Sequence, residues 1–83
     1  MKIRLKLYAL LGQYLPSNAV KNEVDIDVEE GASIVQVLAQ MKVPEEACHL
    51  VLINGVFVAP SERPTKPLSE GDALAIWPPV AGG

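Results

Sequence analysis

Along Lys2-Ile3-Arg4-Leu5-Lys6-Leu7-Tyr8, polar and apolar positions alternate without interruption, the period of a strand with one buried face. Successive side chains of a strand point to opposite sides, so Ile3, Leu5 and Leu7 face a core while Lys2, Arg4, Lys6 and Tyr8 face away from it. Glu23-Val24-Asp25-Ile26-Asp27-Val28 repeats the alternation with Val24, Ile26 and Val28 inward, and the two segments pair as an antiparallel hairpin. Between them, Ala9 to Lys21 contains Gly12, Pro16, Ser17 and Asn18 and reads as a connection. Its front half, with Leu10, Leu11, Tyr14 and Leu15, is expected to pack onto the domain.

Glu30-Gly31-Ala32 breaks the strand pattern, and the period then changes. Ser33 is a good N-cap, and Gln36 three residues later completes a capping-box signature. Ile34, Val37, Leu38 and Met41 follow at helical spacing and give the helix one apolar face. Pro44 ends the helix, and Glu45-Glu46-Ala47 adds a short helical turn. His49-Leu50-Val51-Leu52-Ile53 is an apolar run of strand length, closed by the turn pair Asn54-Gly55. Val56-Phe57-Val58 resumes extended structure, Ala59 to Pro67 with its three prolines is a loop, and Leu68-Ser69-Glu70-Gly71-Asp72 is a turn. Ala73-Leu74-Ala75-Ile76-Trp77 is the last strand.

The order is therefore strand, strand, helix, strand, short strand, strand. A helix laid across one face of a mixed sheet buries both apolar surfaces, with the first and last strands as central neighbours. That is an α+β architecture of the β-grasp, or ubiquitin-like, kind: a mixed sheet with one main helix packed on one face. No repeat or second domain is visible; residues 1–77 are expected to form the domain and residues 78–83 a flexible C-terminal Gly-Gly tail. Parity carries the reading onto the other face. Leu74 and Ile76 fit the inward set, which sends Trp77 outward with Ala73 and Ala75; Val56 and Val58 inward put Phe57 outward. Tyr8, Phe57 and Trp77, three of the four aromatics, then share the face away from the helix, as a contact site for a partner would. The alternative is that the loop Ala59 to Pro67 folds over these rings and covers them.

Composition narrows the function. With 83 residues, 49% of them hydrophobic, the chain can build one small core. The single cysteine, Cys48, excludes an intramolecular disulfide and favours a cytoplasmic setting. No basic leader with an apolar stretch and no membrane-spanning run is present. A net charge of −3, with only Lys2, Arg4 and Lys6 in a local basic row, argues against nucleic acid.

The tail Pro78-Pro79-Val80-Ala81-Gly82-Gly83 is the candidate for chemistry. Two prolines lack N–H donors and hold an extended course, while two glycines make a thin tip that can approach another backbone closely. The expectation is a stiffened stalk that presents the Gly83 carboxylate to a narrow channel in another protein, against the plain alternative of a frayed end. Nothing else rivals it. Cys48 and His49 are adjacent, but one Cys and one His fall short of a zinc ligand set, and neighbours on an extended segment point apart. Asp25, Asp27, Glu29, Glu30, Glu45 and Glu46 read as solvated carboxylates. No phosphate loop, Ser/His/Asp set or dinucleotide fingerprint occurs, so no bound metal or cofactor is expected.

Taken together, the opening strand Ile3 to Tyr8, the Gly31-Ala32-Ser33 helix entry with Val37-Leu38, the Ile53-Asn54-Gly55 turn, Leu68-Ser69-Glu70-Gly71-Asp72 and the Pro-Pro-Val-Ala-Gly-Gly tail resemble the MoaD/ThiS family of ubiquitin-like sulfur carriers. The Pro78-Pro79-Val80 lead favours the MoaD branch, the small subunit of molybdopterin synthase, over the thiamin-pathway carriers. The resemblance implies that an E1-like adenylyltransferase (MoeB-like) uses ATP to adenylate the Gly83 carboxylate, and that a persulfide-derived sulfur converts it to a thiocarboxylate. The tail, with Pro78, Pro79, Val80, Ala81 and Gly82 threading the channel, then enters a larger catalytic subunit (MoaE-like) and donates sulfur for the dithiolene of molybdopterin, which holds molybdenum or tungsten. It also implies a partner-binding patch that Tyr8, Phe57 and Trp77 match, and a chain that is not an enzyme on its own. Trp77, where the family more often has Phe, and the proline-rich loop Ala59 to Pro64 depart from the pattern and point to a paralogue with a dedicated pathway. A carrier for thiamin or another thio-metabolite, a protein modifier joined through Gly83 to lysines, and a plain β-grasp binding module remain the alternatives.

Overall fold

A computed structural model of the chain describes residues 1–79; the predicted tail residues Val80, Ala81, Gly82 and Gly83 lie outside the described residues. Five strands, β1 (Lys2–Leu7), β2 (Glu23–Asp27), β3 (Leu50–Ile53), β4 (Val56–Phe57) and β5 (Ala73–Trp77), and one helix, α1 (Ile34–Met41), appear in the predicted order. The sheet runs β2-β1-β5-β3-β4. The first and last strands are central and parallel, and every other pairing is antiparallel. This is the β-grasp, ubiquitin-like fold.

Alternation selects the face. Ile3, Leu5, Leu7, Val51, Ile53, Leu74 and Ile76 are buried and join Ile34, Val37 and Leu38 of α1 in one hydrophobic cluster, each such side chain contributing about 1.5–3 kcal/mol when fully removed from water. The helix begins as the sequence requires: Ser33 Oγ accepts from the Gln36 N–H at 3.2 Å while Gln36 Oε1 accepts from the Ser33 N–H at 2.8 Å. It ends at Lys42, whose left-handed backbone (φ +60°) closes the last turn.

Two turns lock the start of β5. Asn54 and Gly55 both take positive φ, as a tight hairpin between β3 and β4 demands. Asn54 Nδ2 donates to Asp72 Oδ1 at 2.9 Å, the Ala73 N–H donates to Asn54 Oδ1 at 2.9 Å, and the Ser69 N–H donates to Asp72 Oδ2 at 2.8 Å. The Leu68–Asp72 turn is thereby tied to the hairpin, and the parallel strand enters the middle of the sheet in a defined register.

Two sequence expectations need correction. Leu10 does not pack onto the domain: the front of the connection is a 3-10 helix, Ala9–Tyr14, that buries Leu11 and leaves Leu10 80% exposed. Val56 is not buried. It lies opposite the inward Ile53, but β4 is a two-residue strand at the sheet edge, and Val56 remains 66% exposed while Val58 just beyond is buried. Among the described residues, no helix is long and apolar enough to cross a membrane.

Candidate functional site

Register places the outer face of the sheet in rows. Trp77 stands opposite Leu50, Ala75 lies between Lys6 and Leu52, and Leu52 stands opposite Phe57. Residues opposite one another share a face, so Leu50, Leu52, Phe57, Ala75 and Trp77 form an apolar half over β5, β3 and β4. Tyr8, just past β1, completes it: its ring stacks on Trp77 with centroids 4.5 Å apart and planes 13° apart. Phe57 is 56% exposed and Leu50 36%.

The other half of the same face is ionic. Arg4 Nε and Nη2 donate to Asp25 Oδ1 and Oδ2 at 2.8 and 3.2 Å, Nη1 donates to Glu23 at 3.3 Å, and Lys2 pairs with Asp27 at 3.2 Å. Hydrogen bonding to Arg4 holds the Asp25 carboxyl below the usual carboxylate range. The acidic side chains of β2 thus pair with Lys2 and Arg4, and the apolar half lies beside them with Leu50 and Phe57 exposed.

The loop 59–67 does not cover the rings. The Val35 N–H donates to Arg63 O at 3.3 Å, Ser33 bridges Pro67, and the Leu68 N–H donates to Ala32 O at 2.8 Å. Those contacts hold the loop against the start of α1, on the opposite side of the sheet.

Trp77 is the last residue of β5, and its neighbourhood anchors the tail. The Tyr8 N–H donates to Ile76 O at 3.1 Å from one side, and the His49 N–H donates to Trp77 O at 2.8 Å from the other. Pro78 and Pro79 follow with no N–H to continue the ladder. The chain therefore leaves the sheet at a pinned point beside the apolar half, with Pro78 partly buried and Pro79 exposed.

Of the predicted site residues, Tyr8 and Trp77 are brought into contact, Phe57 lies on the same face at the sheet edge, and Pro78 and Pro79 leave from its end. Gly83, the expected attachment point, and Val80, Ala81 and Gly82 are among the residues not described. By sequence Leu50 and Leu52 are only part of an apolar run; the signal for their place on this face is the lack of alternation there, which marks a strand with apolar residues on both faces. Cys48 and His49 point apart, as expected of neighbours on an extended segment: Cys48 is buried and His49 exposed. Burial pushes the Cys48 thiol up, with Arg63 opposing the effect. Among the described residues no group of His, Cys, Asp or Glu is arranged to hold a metal ion.

Comparison with known proteins places this geometry. No curated protein matches the chain. Among solved structures, the chain is similar to the crystal structure of SAMP1 from Haloferax volcanii, at 24% identity and a TM-score of 0.68 with 100% of both chains covered. It is also similar to the solution structure of the Haloferax volcanii HVO 2177 protein, at 23% identity and a TM-score of 0.77 over 100% of this chain and 87% of that one. A third likeness is to the complex of subunits 1 and 2 of the molybdopterin-converting factor from Helicobacter pylori 26695, at 17% identity and a TM-score of 0.62 with 100% of both chains covered. These likenesses show the shared fold. The model of the ThiS family matches residues 10–83, nearly the whole length and including the tail, and the chain belongs to the ThiS family.

Proposed function

We propose that the chain is a sulfur carrier whose Gly83 carboxylate is adenylated, converted to a thiocarboxylate and delivered to a catalytic subunit of molybdopterin synthesis. The observation that carries the reading is the pinned exit of the chain at Trp77, beside an exposed apolar half-face and directly ahead of Pro78-Pro79. Family membership, with a match that reaches Gly83, supports it. In this reading residues 1–77 are the body that docks and residues 78–83 are the arm that enters the partner.

The chemistry explains the division of labour. A free carboxylate resists acyl substitution because neither oxygen is a leaving group. Attack of the Gly83 carboxylate on the α-phosphorus of ATP forms the acyl adenylate and releases pyrophosphate. The terminal sulfur of a persulfide then displaces AMP at the carbonyl carbon, and a thiol attacks the donor-side sulfur of the resulting acyl disulfide, which leaves the thiocarboxylate and a disulfide. ATP and sulfur donor both belong to an E1-like partner, so the carrier needs no cofactor and is not an enzyme alone. The apolar half-face holds the partner, and the tail passes through a channel that a side chain at Gly82 or Gly83 would obstruct. A MoaE-like subunit then accepts the sulfur, as the likeness to a two-subunit molybdopterin-converting factor supports. The setting is cytoplasmic, where a lone buried cysteine stays reduced.

A second reading, a modifier joined through Gly83 to lysines, is favoured by the likeness to the small archaeal modifier protein 1 of Haloferax volcanii. A carrier for a different thio-metabolite shares the first steps and differs in the acceptor. The test is the intact mass of the chain after incubation with its E1-like enzyme, ATP, a persulfide donor and a thiol. The carrier gains the mass of one sulfur for one oxygen and loses that gain when Gly83 is deleted. Adducts to other proteins without thiocarboxylate select the modifier, and an unchanged mass with an active enzyme removes both.

A further inference from the structure

Among the described residues Arg63 is the one charged residue that is buried, 8% exposed, in a loop that otherwise carries no functional role. Its guanidinium makes no ion pair among the described residues. Instead Nη1 donates to Cys48 O and Nη2 to His49 O, both at 3.2 Å. Only the planar fork of arginine reaches two successive carbonyls in this way; the lysine ammonium is a point donor on a flexible stem, and an apolar side chain would supply the packing alone. A buried guanidinium is costly to desolvate and is weak evidence for stability as such. What it does here is fix the peptide plane between Cys48 and His49.

That peptide matters because its other end faces the tail. The plane whose carbonyl belongs to Cys48 carries the His49 N–H, and this N–H donates to Trp77 O at 2.8 Å. The Arg63 carbonyl in turn accepts from the Val35 N–H at 3.3 Å in the first turn of α1. A continuous mechanical path therefore runs from the helix through Arg63 and the Cys48–His49 peptide to the last hydrogen bond before Pro78. On the other side of β5, the Tyr8 N–H holds Ile76 O without any link to Arg63.

We propose that Arg63 is a positioning residue for the tail: by clamping the Cys48–His49 peptide it holds the His49 N–H on Trp77 O and sets the direction in which Pro78 and Pro79 leave the sheet. Its consequence for thiocarboxylation rests on the sulfur-carrier reading; its structural core does not. Misdirection at the root of a threading arm is carried to its tip, and displacements of about 1 Å at a reacting centre are enough to slow a reaction about a hundredfold.

The experiment compares wild type with Arg63→Met and Arg63→Lys by residue-resolved amide hydrogen exchange, and with the same proteins in the thiocarboxylation assay. Arg63→Met is expected to speed exchange of the His49 amide by about tenfold or more while the Tyr8 amide changes by less than about twofold, the mark of a local opening rather than lost global stability. Arg63→Lys, which can reach one carbonyl, is expected to fall between. In the assay, kcat is expected to fall in the same order with little change in KM, because the docking face is untouched. If the His49 and Tyr8 amides accelerate together, or neither changes, Arg63 is an ordinary structural residue and the proposal fails. If Arg63→Met does not fold, Arg63→Lys alone decides by the same comparison. If the wild type takes up no sulfur, the carrier reading fails, and the exchange comparison still decides whether Arg63 holds the tail root.

Discussion

The stacked pair at the root of the tail allows a quantitative test. Tyr8 follows directly on β1 and Trp77 ends β5, parallel neighbours in the sheet, and their rings lie 4.5 Å apart at 13°. Aromatic pairs in such geometry contribute about 0.5–1.5 kcal/mol beyond the area they bury. Tyr8→Leu, Trp77→Leu and the double variant form a cycle in which each substitution keeps an apolar side chain and removes a ring. Both rings are half-buried, so each single change is expected to cost about 1–2 kcal/mol. In a domain of this size that lowers Tm by about 4–8 °C per kcal/mol. The double variant is expected to lose less than the sum by the coupling energy. Urea unfolding followed by far-UV circular dichroism reads the cycle without depending on Trp77, the only tryptophan. A coupling within about 0.3 kcal/mol of zero, the range in which independent sites simply add, would mean that the rings do not interact. The stack would then lose its place in the account of the tail root.

Three further outcomes follow from other parts of the molecule. Phe57→Asp, at a position 56% exposed, is expected to change stability by less than about 0.5 kcal/mol; isothermal titration should show binding to the E1-like partner weakened by about 2 kcal/mol or more if the ring is an anchor. Ser33→Ala removes the side-chain half of the capping box and is expected to cost about 1 kcal/mol, read as a lower Tm. The folded pKa of Asp25 is depressed by Arg4 from 3.8, so the folded state binds fewer protons than the unfolded chain in that range. The pair's stabilisation is present above the unfolded pKa and lost as pH falls through the lower folded value. Arg4→Met should therefore flatten the acid limb of stability below about pH 4, near the ordinary range of an aspartate, and an unchanged limb would contradict the pairing.

Much of the fold was legible because each element carries its own local signal. Alternation in Lys2 to Tyr8 and Glu23 to Val28 named the core face, and the Ser33/Gln36 box marked the helix start. The parity of Ala73 to Trp77 placed Trp77 on the same face as Tyr8 before any contact between them was known. What escaped depends on tertiary surroundings. Whether Val56 is covered depends on how far the helix reaches over the sheet edge, and Leu10 on how the 3-10 turn rotates its side chain; neither is written in a period. Arg63 was invisible for the same reason. A lone arginine among prolines reads as a solvated loop residue, and only the folded chain brings two carbonyls within reach of it. The site was legible as a face and a tail, and illegible in the contacts that join them.

The central claim is that a partner grips the apolar half of the outer face and receives the tail from its edge. The most direct test is to titrate the isotopically labelled chain with the proposed E1-like partner and follow the backbone and side-chain resonances. The account predicts that the largest changes fall on Tyr8, Leu50, Leu52, Phe57 and Trp77, with Arg4, Asp25 and the exposed side of α1 little affected. A footprint centred on α1 or on β2 instead, with Phe57 and Trp77 unmoved, would contradict it.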